Sequence, residues 1–176
     1  MEKMLRIGLV FLVCLLLPGF AGMIMNMINS AVRAEYFIKI LRWENVKDIS
    51  SAAIAQGMYQ GIIEGSFFSL LFSCVYVISN KAELALASTI KWIVCMGIAA
   101  FALWAIGGII AVALAMLSPE FYRQSFIGVP DEFGAMLRYA WVGGSIWGGT
   151  FGGIAVMAIG AIMFRNANRQ GKEKKG

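Results

Sequence analysis

Four apolar stretches separated by short polar breaks dominate the 176-residue chain. They cover residues 7–28, 52–78, 92–117 and 139–164. Each is long enough to cross about 30 Å of hydrocarbon at about 1.5 Å per helical residue. Three are uncharged, and Glu64 is the sole charge of the second. Runs of helical length with polar breaks favour an α-bundle over a barrel, because a bilayer leaves no water to satisfy an open backbone. The sequence therefore predicts an all-α integral membrane protein: four transmembrane helices in one domain over residues 1–176, ending in a basic cytoplasmic tail over 165–176. Pro18 predicts a kink in the first span.

Between the first two spans, Glu35, Lys39 and Arg42 share one helical face, and Phe37, Ile40 and Leu41 another. That pattern predicts a short helix in the headgroup layer, with Tyr36 and Trp43 as interfacial anchors. Between the last two spans, Ser118-Pro119-Glu120 reads as N-cap, first helical position and acidic first turn. Gly128 is expected to stop that helix. The two loops echo each other: Glu35-Tyr36-Phe37 follows Ser30, and Glu120-Phe121-Tyr122 follows Ser118. With two inserted residues allowed, Gly57, Gly61 and Gly65 align with Gly144, Gly148 and Gly152, which predicts two parallel helical hairpins.

Composition sharpens the class. Sixty per cent of the residues are hydrophobic and 14% charged, against about a quarter charged in a soluble domain. Net charge is +5, and five of the fifteen basic residues crowd into the tail. Such a tail suits anionic lipid better than nucleic acid, which calls for basic and aromatic residues interleaved on a soluble face. Lys3, Arg6, Lys81, Lys91, Arg165, Arg169, Lys172, Lys174 and Lys175 lie on the side of the termini. Arg33, Lys39, Arg42, Lys47, Arg123 and Arg138 lie in the other two loops, among as many acids. Nine basic residues against six place both termini in the cytoplasm, in a bacterial inner membrane. The opening Met1-Glu2-Lys3-Met4-Leu5-Arg6 resembles a signal peptide, but the apolar run is longer than usual and Gly19-Phe20-Ala21-Gly22-Met23 is a poor cleavage site. The first span is expected to be retained.

The chain contains no histidine, which removes imidazole catalysis and histidine-ligated metal or haem. Cys14, Cys74 and Cys95 fall in separate apolar runs without metal-ligand spacing. Gly143-Gly144-Ser145-Ile146-Trp147-Gly148 misses the nucleophile-elbow pattern by one place, and no histidine exists to activate Ser145. The expectation is a protein without catalytic residues, metal or cofactor.

Glycine every fourth residue does mark the second and fourth spans, at Gly57, Gly61, Gly65 and at Gly144, Gly148, Gly152. Helices in lipid associate largely through close backbone packing, so these faces predict contact with another helix. Beside the first series, Gln56, Gln60 and Glu64 form a stripe at four-residue spacing, partly extended by Ser69 and Ser73. An ionised carboxylate at mid-span costs about 2.5 kcal/mol or more on insertion scales. Glu64 is thus expected to be neutral, paired, hydrated or hydrogen-bonded; Gln60 and Glu64 form the candidate ion, proton or buried polar site.

The segment Gln56-Gly57-Met58-Tyr59, with the mid-membrane Glu64, resembles a short piece of the first hairpin of the rotor-ring proteolipids of vacuolar-type ATPases. The likeness covers about ten residues. It implies an ion-binding carboxylate in a ring. The bulky first span, the acid-free fourth span and the longer outer loops depart from that family's pattern. Two functions follow from the sequence as a whole. One is a non-catalytic accessory subunit of a larger membrane complex, such as one of energy metabolism, packing against other subunits, like or unlike, through its glycine faces. The alternative is a small channel, carrier or rotor-type ion-binding subunit built on the Glu64 stripe.

Overall fold

In a computed structural model, which describes residues 1–80 and 85–173, every regular element is a helix. Part of the connection before Lys91 and the end of the basic tail, Lys174 and Lys175 included, lie outside the described residues. Four long helices, α1 (Glu2–Arg33), α3 (Ile49–Asn80), α4 (Leu86–Leu117) and α6 (Phe133–Glu173), are joined at one end by the short α2 (Glu35–Leu41) and α5 (Pro119–Ser125). All four long helices are long and apolar enough to cross a membrane. Each overruns its apolar core into polar sequence. α6 continues unbroken past Phe164 to Glu173, so residues 165–173 extend the helix. α1 likewise stays helical through Pro18.

The glycines explain how the helices pair. A Cβ added to Gly57 would lie 2.8 Å from the Cβ of Asn26, one on Gly61 2.8 Å from Gly19 Cα, and one on Gly65 2.5 Å from the Leu15 carbonyl oxygen. As the α3 number rises the α1 number falls, so the two helices run antiparallel with backbones in contact. The other pair repeats this. Gly144 meets the Gly107 carbonyl, while a Cβ on Gly148 or Gly152 would lie 2.5 Å from Leu103 O or 2.7 Å from Leu103 Cβ. Packing is most extensive within α1–α3 and α4–α6, and thinner across the seam between the pairs.

Two apolar layers close the ends of that seam. Toward α2 and α5, Tyr36, Phe37, Ala53, Tyr139 and Val142 form a buried cluster. Tyr36 and Tyr139 lie 4.9 Å apart, and the Tyr139 hydroxyl donates to the Ile127 carbonyl at 2.7 Å. Toward the termini, Val10, Cys14, Phe68, Phe72 and Tyr76 meet Ile93, Met96, Ala161 and Phe164. Here the rings of Phe72 and Phe164 lie 4.9 Å apart across the seam.

The amphipathic reading of α2 needs correction. Tyr36 and Phe37 are buried in the bundle, whereas Ile40 and Leu41 are exposed. Trp43 stacks on Phe37 with 6.2 Å between ring centroids. The tyrosine caps the helical pairs and is not an outward anchor. Arg42 ends α2 in the left-handed conformation at φ 56°. Ser118 occupies the N-cap position of α5 with Pro119 in the first turn, although its hydroxyl makes no capping bond. α5 ends at Ser125, before Gly128, which turns the chain at φ +72° where an L side chain would be strained.

Candidate functional site

Glu64 lies 15 residues into α3, about 22 Å from Ile49 at 1.5 Å per residue. It lines a cleft of about 90 Å³ to which all four long helices contribute. The walls are apolar: Leu17, Met25, Phe68, Met96, Trp104 and Met157 are among them. Polar side chains come from Asn26, Gln60, Glu64 and Thr150, and Glu64 is the one titratable group in the lining. The cleft sits at mid-height between the two apolar layers. That volume is ample for water or a small ligand.

The four-residue spacing on α3 becomes a hydrogen-bonded ladder. Asn26 Nδ2 donates to Gln56 Oε1 at 2.6 Å, and Gln56 Nε2 donates to Gln60 Oε1 at 3.2 Å. Gln60 Nε2 then donates to Glu64 Oε1 and to Thr150 Oγ1, each at 2.9 Å. Both glutamine carboxamides present their nitrogens toward the acid, so their dipoles add with the positive ends facing the carboxylate, while Asn26 Nδ2 also donates to the Ala53 carbonyl at 3.2 Å. A carboxamide does not readily release a proton, so the ladder orients and polarises Glu64 without conducting. A proton or cation would reach the acid through the cleft.

Of the residues singled out in the sequence, Gln60 and Glu64 meet at this site, and Gln56 is tied to Asn26. Ser69 and Ser73 do not extend the ladder: Ser69 is buried and donates to the Ser66 carbonyl of its own helix at 2.9 Å. Gly57 and Gly61 line the cleft, whereas Gly65, Gly144, Gly148 and Gly152 serve contacts within the helix pairs. All six glycine faces thus find a partner in the same chain. Gly153 differs, since a Cβ there would touch nothing within 4 Å and the residue borders the cleft. Val156 also lines the cleft.

Two site residues escaped the sequence reading: Asn26 and Thr150. Their signal was present as uncharged polar side chains inside apolar runs, Thr150 being the one hydroxyl in Gly148-Gly149-Thr150-Phe151-Gly152-Gly153. Ser145 is wholly buried and hydrogen-bonded to Asn29 at 2.9 Å, a structural role with no access for a substrate. No grouping of acids and cysteines among the described residues could hold a metal ion. No protein-family model, curated protein sequence or solved structure significantly matches the chain.

Proposed function

We propose that the chain spans a bilayer as two parallel helical hairpins, α1–α3 and α4–α6, with both termini cytoplasmic in a bacterial inner membrane, and that it is a small cation-binding carrier. The supporting observation is Glu64, held by an oriented amide ladder on a cleft shared by both hairpins and capped at each end by an apolar layer. An acid at mid-membrane is costly unless it has a use or a partner, and acids in such places line ion and substrate paths. The thin seam lets one hairpin tilt against the other, exposing the cleft to either side in turn. No catalytic residue or cofactor enters this reading.

Reconstitution into proteoliposomes tests it. Wild-type protein is expected to move cations or protons down an imposed gradient, and Glu64→Gln to abolish that movement while eluting as the same folded species. A folded wild-type protein without flux would overturn the proposal.

A second reading, an accessory subunit within a larger like or unlike membrane assembly, is supported by the exposed face of α6. Trp147 and Phe151 stack there at 5.1 Å with about three-fifths of their surface open. Anionic lipid at the basic tail belongs to both readings. Native mass spectrometry after gentle extraction separates them: stoichiometric co-purifying chains favour the subunit.

A further inference from the structure

We propose that the ligand of the cleft is a small primary alkylammonium ion, with its –NH3⁺ on Glu64 and its short hydrocarbon body among the methionines and aromatic rings. The inference rests on the reading of the cleft as a cation site and names the class of cation.

The walls eliminate the other classes. An anion would meet the Glu64 carboxylate, and an amino-acid zwitterion would find no basic side chain in the lining. A sugar or other polyol would leave most of its hydroxyls against Leu17, Met25, Phe68, Met96 and Met157. A divalent metal cation held without water takes six or more oxygen ligands, and the side chains of Asn26, Gln60, Glu64 and Thr150 carry five.

An ammonium group carries three N–H donors and no acceptor. The lining offers acceptors to match. Glu64 has the oxygen that Gln60 does not engage. Thr150 Oγ1 accepts one bond from Gln60 and has a second lone pair, and Gln60 Oε1 likewise accepts one bond from Gln56. The rest of the lining suits a hydrocarbon: thioethers of Met25, Met96 and Met157 adapt to irregular shapes, and Trp104 adds an aromatic surface that attracts cations. The cleft of about 90 Å³ leaves room for a short alkyl chain beside the ammonium group.

Isothermal titration of the full chain in lipid nanodiscs, with n-propylammonium as the probe, tests this. Propylammonium is expected to bind. Its neutral analogue 1-propanol, and tetramethylammonium, which has no N–H donor, should bind at least about tenfold more weakly, the worth of one hydrogen bond to a charged group. Glu64→Gln should weaken propylammonium by about tenfold or more, and Thr150→Val by a smaller factor. The threonine variant keeps the test open if the glutamine variant fails to fold. Equal binding of tetramethylammonium and propylammonium would overturn the ligand class. Sodium binding that depends on Glu64, without propylammonium binding, would also overturn it while leaving the cation site standing. Absence of any cation binding together with absence of flux would remove both the class and the site.

Discussion

Ser145 and Asn29 face each other across the seam, the serine hydroxyl donating to the asparagine Oδ1 at 2.9 Å with both side chains wholly excluded from solvent. The same hydroxyl lies 3.0 Å from the Val142 carbonyl, and Asn29 Nδ2 has no partner among the described residues. The bond joins α1 to α6 between the Tyr36–Tyr139 layer and the cleft. Ser145→Ala would strand Asn29 Oδ1 in an apolar interior, at a cost of about 1–3 kcal/mol. Thermal unfolding in detergent should show Ser145→Ala well below wild type. The double variant Asn29→Leu/Ser145→Ala should recover part of the loss, because replacing both partners leaves nothing unpaired. Additive losses would mean that the bond contributes nothing.

Glycines in this protein should sort sharply by location. Gly61→Ala drives a methyl into the α1 backbone, 2.8 Å from Gly19 Cα. Backbone cannot move aside as a flexible side chain can, so a loss of about 1–3 kcal/mol is expected. Gly153→Ala meets open space and should gain up to about 1 kcal/mol from better helix propensity. It also narrows the cleft, so it should fold well while binding or carrying less. Unfolding midpoints of the two variants, measured side by side, check the order. A destabilised Gly153→Ala would show that the cleft is closed in the membrane.

The sequence made the class of fold legible and the occupants of its surfaces illegible. Four apolar runs bounded by charges are enough to announce four long helices, because hydrocarbon demands a satisfied backbone. The spacing of Gly57, Gly61 and Gly65 announces a smooth face, but a face does not name what lies on it, and α1 proves to be the neighbour. Tyr36 illustrates the same ambiguity in polar sequence, since an aromatic beside charges suits a headgroup layer and a buried cap equally. Glu64 stood out because a charge in an apolar run has an obvious cost. Asn26, Asn29 and Thr150 did not, because uncharged side chains scarcely disturb hydropathy and gain their meaning from partners 30, 116 and 90 residues away.

At the start of α3, Asp48 accepts from the Ser51 backbone N–H at 3.1 Å and from the Ser51 hydroxyl at 2.6 Å. These bonds favour the charged form, the hydroxyl most, and hold the carboxyl below its ordinary range. A carboxylate with a depressed folded value stabilises fully above its unfolded pKa, and that stability fades as pH falls through the folded value. The first turn of α3 should therefore fray in acid, below about pH 4, and stay intact from neutral pH upward. Amide exchange at Ser51 and Ala52 across pH 3–7 would show this, and Asp48→Asn should flatten the profile. Wild-type exchange with no such dependence beyond intrinsic chemistry would contradict it.

Orientation in the membrane is predicted from the count of basic residues on each side. Of the six at the α2–α5 end, Arg33 is paired with Glu35 and Arg138 lies 3.7 Å from Glu132. Arg123 donates to the Asp131 carbonyl at 2.5 Å. Arg6 at the other end is paired as well, with Glu2 at 2.5 Å, so the ion pairs do not separate the two ends and the prediction rests on nine basic residues against six in the sequence. Basic residues in short loops resist export, so the α2–α5 end should face the periplasm. Cysteines introduced at Ser50 and Asp131, after replacement of Cys14, Cys74 and Cys95 by alanine, should react with an impermeant maleimide added to spheroplasts. A cysteine at Asn166 should react only after lysis, because α6 carries it beyond the apolar span on the opposite side. Labelling in the reverse sense would turn the protein over and assign the basic helix end to the periplasm.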